Sequence, residues 1–162
     1  MKTIKEGFLR KNLGLGKETL IKNWLEKYRI KNYTINDDWT IDIGGYIDLE
    51  HYTEKQLPDY IRFGTLVGFF VISKSPNLES LEGCPKEVCG DFYCYNCNNL
   101  ESLKGCPNKV SGNFSCRRCS KLESLKGAPK EVGGYFDCRE CGRRFTKQDV
   151  KKVSEVKRRI YI

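Results

Sequence analysis

The residues of this chain best suited to chemistry are three Cys-x-x-Cys pairs: Cys94 with Cys97, Cys116 with Cys119, and Cys138 with Cys141. Eighteen residues separate successive pairs. Paired thiolates at this spacing suit a tetrahedral structural zinc site or, in another setting, thiol–disulfide exchange. Other candidate chemistry is sparse. His51 is the only histidine, and it is expected to be a solvated turn residue. Asp37, Asp38, Asp42 and Asp48 cluster, but hairpin turns favour Asp for its local hydrogen bonds. The Gly14-Leu15-Gly16-Lys17 run lacks the spacing of a phosphate-cradling loop. No acid/base or nucleophile constellation accompanies the thiols, so a non-enzyme with no cofactor and no small-molecule substrate is expected.

The elements that must position these cysteines are repeats. Residues 78–141 hold three tandem copies of a 22-residue unit, beginning at Leu78, Leu100 and Leu122. Each runs Leu-x-Ser-Leu-x-Gly, a small residue, Pro, and then Val-x-Gly-x-Phe-x-Cys-x-x-Cys. Alternation with period two places Val88, Gly90, Phe92 and Cys94 on one face of a strand, and that face must be buried. The same pattern recurs at Val110, Gly112, Phe114 and Cys116, and at Val132, Gly134, Phe136 and Cys138. Stepping back 22 residues gives Leu66, Gly68, Phe70 and Ile72, and a further 23 gives Ile43, Gly45, Ile47 and Leu49. The expected fold is therefore a repeat solenoid of the α/β type, with five stacked parallel rungs rising about 19 Å. The leucine pairs cover the phenylalanine ladder from the other side. Gly83, Gly105 and Gly127 permit a turn, and Pro85, Pro107 and Pro129 fix φ beside it.

The repeat also bears on the cysteines. In the two degraded rungs the first Cys position holds Leu49 and Ile72, and the second holds Tyr52 and Ser75. A metal ligand cannot be exchanged for leucine, whereas a buried filler can. Cys84 and Cys106 are matched by Ala128 in the same way. A core ladder of free thiols, each able to donate to a turn carbonyl, is the favoured reading. Zinc at Cys94, Cys97, Cys116, Cys119, Cys138 and Cys141 is the alternative, and Cys138-Arg139-Glu140-Cys141-Gly142 has the look of a zinc knuckle.

The Phe-x-Cys-x-x-Cys-x-x-Leu-x-Ser-Leu segment resembles the strand and turn of leucine-rich repeats, with Cys97, Cys119 and Cys141 at the turn position. The unit is most similar to the short Leu-Glu-Ser-Leu-x-Gly-Cys-Pro repeats of small proteins encoded by tailed bacteriophages. The segment from Asn32 to Asp42 and the helix Gly16-Lys-x-x-Leu-Ile-Lys-x-Trp-Leu25 also resemble the leaders of such proteins. The resemblance implies a phage-derived accessory factor acting on a host protein or nucleoprotein, and it brings no agreed activity with it.

Around the solenoid, three segments are expected. Residues 1–42 form a basic cap of two helices and a hairpin, 43–142 the leucine-rich-repeat-like solenoid, and 143–162 a basic helix-and-strand cap. Thr3 with Glu6 reads as a capping box for a first helix through Ile4, Phe8 and Leu9. A second helix over 17–29 sets Leu20, Ile21, Trp24, Leu25 and Tyr28 on one face. Tyr33-Thr-Ile-Asn36 and Trp39-Thr-Ile-Asp42, alternating around Asp37 and Asp38, read as a short hairpin. Thr146 with Asp149 is another capping box, and Arg159–Ile162 a final strand.

Charge is unevenly spread within a net +8. Residues 1–33 carry nine Lys/Arg against three acids, 34–82 carry three against nine, and 143–162 carry eight against two. Basic ends point to a solvated surface or to nucleic acid, through Lys22, Lys27, Arg29, Arg143, Arg144, Lys147, Lys151, Lys152, Arg158 and Arg159. The outward strand positions offer a second surface, for protein, at Tyr46, Phe69, Val71, Asp91, Tyr93, Tyr135 and Asp137. Arg117, Arg118 and Arg139 stand at the strand ends. Aromatics beside arginine are the residue types that anchor interfaces. Phe69 and Val71 either belong to that surface or lie under the N-terminal helices. With no apolar run of about 18 residues and charges scattered through the start, neither a membrane span nor a signal peptide is expected. Nine cysteines then suit a reducing cytoplasm. Two functions remain: a counter-defence factor that binds a host protein or nucleoprotein, for example an RNA-guided nuclease, or a protein that binds RNA or DNA directly.

Overall fold

The computed structural model describes residues 16–162; the helix expected around Thr3 and Glu6 lies outside them. Helix α1 (Lys17–Lys27) leads into an antiparallel hairpin of β1 (Tyr33–Ile35) and β2 (Ile41–Ile43). From β2 onward the chain winds as a parallel β-solenoid of about six turns. Each turn contributes two very short strands, because the alternating Val-x-Gly-x-Phe run bends at its glycine and divides in two.

The first wall stacks β2, β4 (Phe63–Leu66), β6 (Glu87–Val88), β8 (Lys109–Val110), β10 (Glu131–Val132) and β12 (Glu155–Val156). Between β4 and β6 the link is the Cys89 N–H, which donates to the Leu66 carbonyl at 3.1 Å. The second wall is a single parallel sheet of β3 (Ile47–Asp48), β5 (Phe70–Val71), β7 (Phe92–Tyr93), β9 (Phe114–Ser115), β11 (Phe136–Asp137) and β13 (Ile160–Tyr161). Its register pairs Ile47 with Phe70, Phe70 with Phe92, Phe92 with Phe114, Phe114 with Phe136 and Phe136 with Ile160. The register expected for the two degraded rungs is the one observed.

Two expectations change. The expected final strand is β13, and together with β12 it adds a turn to the five. Six strands at about 4.8 Å spacing make the second wall about 24 Å tall. The return segments are also turns rather than helices, so helix among the described residues is confined to α1 and α2 (Lys147–Lys151). Each of the three repeated returns is closed by a glycine in the left-handed region, with φ +91° at Gly83, +88° at Gly105 and +87° at Gly127. A helix cannot continue through that conformation.

The core is a set of ladders. Phe70, Phe92, Phe114 and Phe136 are fully buried and stack in sequence, with ring centroids 5.3, 6.0 and 4.7 Å apart. Val88, Val110 and Val132 face them from the first wall, and Leu78, Leu81, Leu100, Leu103, Leu122 and Leu125 close the third side. Burying each such side chain stabilises by roughly 1.5–3 kcal/mol. At the N-terminal end α1 covers the stack with Ile21, Trp24 and Leu25. Trp24 meets Phe63 at 6.3 Å, and Tyr28 meets Tyr52 at 5.5 Å. At the other end the Thr146–Asp149 capping box opens α2 as expected, and Val150 is buried.

Candidate functional site

The cysteines are the first candidates, and the fold points nearly all of them inward. Cys94, Cys97, Cys116 and Cys119 are fully buried, and Cys141 is half-buried. A non-glycine residue in the left-handed conformation precedes each second cysteine: Asn96 at φ +57°, Arg118 at +58° and Glu140 at +57°. His51 and Lys74 occupy the same corner in the earlier turns. This corner aims the following thiol back along the stack. Cys97 donates to the Ile72 carbonyl at 3.3 Å, Cys119 to Cys94 at 3.2 Å and Cys141 to Cys116 at 3.3 Å. The thiols thus satisfy strand carbonyls one turn away. Burial pushes the Cys94 and Cys106 thiols well above the ordinary value, and Cys138 up to about 12. Among the described residues no three His, Cys, Asp or Glu side chains converge as a metal would require.

The outer face of the second wall is the other candidate. Tyr46 and Phe69 are exposed and stacked, 4.8 Å apart and 13° from parallel. Phe69 is 39% exposed and does not lie under α1, which packs at Phe63 and Tyr52 instead. Val71 follows, half-buried. Towards the later turns the surface sinks into a depression of about 570 Å³. Its walls are Tyr93, Tyr95, Tyr135 and Tyr161, and its floor is Ser115 and Asp137, with Arg117 and Arg139 at one side.

Hydrogen bonds and ring contacts hold these side chains in place. The Tyr93 hydroxyl donates to Asp91 at 2.7 Å, and the other Asp91 oxygen accepts the Asn113 N–H at 2.6 Å. Burial, and then the bond to Asp91, push the Tyr93 phenol far above its ordinary value, so it remains a proton donor. Tyr95 donates to Glu50 at 3.2 Å, and Tyr135 meets Tyr161 edge-on at 5.5 Å. Arg139 forks onto Asp137 at 2.9 and 2.7 Å and lies over the Tyr161 ring at 5.0 Å. Arg117 lies over the Tyr95 ring at 5.7 Å.

Of the residues expected at a protein-binding face, Tyr93, Tyr135, Asp137, Arg117 and Arg139 meet in the depression, while Tyr46, Phe69 and Val71 extend the face towards the first turn. Arg118 does not join them. Its left-handed backbone turns it aside, and it pairs with Glu140 at 3.0 Å. Two lining residues were not among those expected. Tyr95 occupies the position after the first cysteine, the same one that holds Arg117 and Arg139, and Tyr161 belongs to the sixth turn. Ser115, expected to face outward with Asn113, does line the depression.

The basic candidates form two sets at opposite ends of the stack. Lys22 pairs with Glu18 at 2.6 Å, and Lys27 lies over Tyr28 at 5.0 Å, with exposed Arg29 beside them at the α1 end. Arg143 pairs with Asp149 at 3.2 Å. Arg144, Lys147, Lys151, Lys152, Arg158 and Arg159 are exposed around the last turn. No helix among the described residues is long and apolar enough to cross a membrane. No family model, curated protein or solved structure matches this chain.

Proposed function

We propose that this chain is a non-enzymatic binding protein whose outer sheet face grips a partner protein. The observation that carries the reading is the continuous run of outward aromatics, from stacked Tyr46 and Phe69 to the tyrosine-walled depression with its two arginines. Rigid aromatic and guanidinium groups on a flat sheet lose little conformational freedom on docking, which is why such groups dominate binding energy. The similarity of the repeat to those of phage-encoded proteins makes a host protein or nucleoprotein, such as an RNA-guided nuclease, the partner class. The host cytoplasm is then where it works. Affinity capture from host cytosol, with and without nuclease, tests this. Replacing Tyr95 and Tyr135 together by Ala is expected to weaken capture at least tenfold, in line with aromatic hot spots of about 2 kcal/mol. The melting temperature should barely move, since both side chains are outside the core. Unchanged capture by this double variant, or capture of nucleic acid with no protein, rejects the reading.

A second reading, direct binding of RNA or DNA, draws on the exposed cations of the last turn, Arg144, Lys147, Lys151, Lys152, Arg158 and Arg159. It is weaker because the two sets of cations stand at opposite ends of the stack, and between them residues 34–82 carry nine acids against three Lys/Arg. Binding of that kind falls steeply with salt, so titrations of RNA and DNA at two ionic strengths decide it.

A further inference from the structure

The arginines of the outer face are not equivalent. Arg139 is neutralised by Asp137, Arg118 by Glu140 and Arg143 by Asp149. Among the described residues no carboxylate pairs with Arg117, whose guanidinium has only the Tyr95 ring beneath it. A guanidinium carries five N–H donors in a rigid fork, and here none of them has a protein acceptor among the described residues. Below it lies Ser115, 4% exposed, whose hydroxyl opens into the depression and makes no hydrogen bond among the described residues. The Ser115 hydroxyl is reached from the depression, so it can donate to a ligand there in place of water. A cation with no carboxylate partner among the described residues and a hydroxyl free to donate therefore line the same depression between aromatic walls.

We propose that this depression is a subsite for one carboxylate, presented by an acidic extended segment of a partner protein, with Arg117 as its fork and Ser115 as a second donor. The proposal rests on the outer face being a protein-binding surface. Charge decides between a carboxylate and a nucleic-acid backbone. Arg117 is the one uncompensated cation of the depression, whereas Asp137 forms the floor and Asp91 and Glu50 hold the neighbouring phenols. A nucleic-acid strand brings a phosphate with every residue and needs several cations to neutralise them. A single carboxylate needs one. The tyrosines beside it would flank an apolar or aromatic neighbour on the same segment.

The test is a titration of the isotope-labelled full chain, followed by amide and Arg Nε–H resonances. The probes are a short capped peptide alternating Glu with Phe, the same peptide with Gln in place of Glu, sodium phosphate, and a short oligothymidylate. Saturable movement at Ser115 and Arg117 is expected with the Glu peptide and not with the Gln peptide. Arg117→Gln should weaken it at least about tenfold, as for loss of a charge-assisted hydrogen bond, and Arg117→Lys should recover part of the loss. Both variants should melt as the parent does, because Arg117 lies on the surface. The subsite is overturned if the two peptides act alike, if the Glu peptide causes no movement, if Arg117→Gln changes nothing, or if phosphate or the oligonucleotide binds more tightly than the Glu peptide. Capture that survives Arg117→Gln but fails in the Tyr95/Tyr135 double variant overturns the subsite and leaves the binding face. Capture indifferent to the tyrosines overturns the face itself.

Discussion

At the residue scale the cysteines and the arginines show how position governs chemistry. A Cys-x-x-Cys pair in a flexible loop is a ligand set, but here the same spacing recurs once per turn and the strand points its sulfurs into a packed core. Desolvation then disfavours the thiolate, which is both the nucleophile and the metal ligand, at Cys94, Cys106, Cys116 and Cys138. At Cys97 and Cys141 the contact with Cys119 and Cys116, respectively, holds the thiol below its ordinary value instead, and there it is burial that limits access. Native protein treated with a maleimide should therefore label quickly at Cys89, the one exposed thiol among the nine. Labelling should be slow at half-buried Cys141 and should reach the others only in denaturant. Protein purified without added zinc should hold well under one equivalent of the metal. A stoichiometric zinc signal that survives a chelator, with the paired thiols protected by metal, would mean that the ladder is a ligand set after all.

At the element scale the stack is held by close approach as much as by apolar area. Gly112 lies directly over Gly90, to whose carbonyl its N–H donates at 2.9 Å, and a Cβ at Gly112 would come within 2.8 Å of that carbonyl. Gly112→Ala should cost about 1–3 kcal/mol by forcing two turns apart. Phe114→Ala empties the middle of the ring stack and should cost about 3–5 kcal/mol. Denaturant midpoints measure both, and a cost below 1 kcal/mol for either would mean that the turns part easily. Carboxylates also tie turn to turn. Asp42 accepts the Thr65 N–H one turn away at 2.6 Å and the Asn36 amide at 3.0 Å, and these bonds hold its carboxyl below the usual range. A depressed carboxyl contributes stability above its unfolded value, and this is lost as pH falls through the folded one. The gap in stability between the parent and Asp42→Asn should therefore be widest near neutrality and close below about pH 4. A gap independent of pH would show that Asp42 acts through shape alone.

At the scale of the whole molecule the solenoid is a rigid rod with distinct ends and one distinctive side. Its ends carry the cations, one side carries the outer aromatic face from the first turn to the last, and stacking by nearest neighbours fixes the distance between the ends. The two basic segments that look alike in sequence are thereby kept about 24 Å apart, five strand spacings along the second wall. Much of this architecture was legible beforehand. Period two marked the buried face, period 22 marked the stack, and the exchange of Cys for Leu, Ile, Tyr, Ser or Ala marked the thiols as filler. The sixth turn was not legible as a turn, because Glu155–Val156 and Ile160–Tyr161 keep the apolar alternation but lose the Gly, Phe and Cys that identify the unit.

The sequence by itself determined what is buried, since each ladder depends on residue type repeated at a fixed interval, and burial is decided locally by alternation. Only the tertiary structure decided what the outer face can do. Arg117, Arg118 and Arg139 are indistinguishable as letters. The fold pairs Arg118 with Glu140 across 22 residues, locks Arg139 to Asp137, and leaves Arg117 with no carboxylate partner among the described residues, beside Ser115 in the depression. Those outcomes turn on the left-handed corner and on which side chains of adjacent turns come within hydrogen-bonding reach, and neither is set by any one repeat alone.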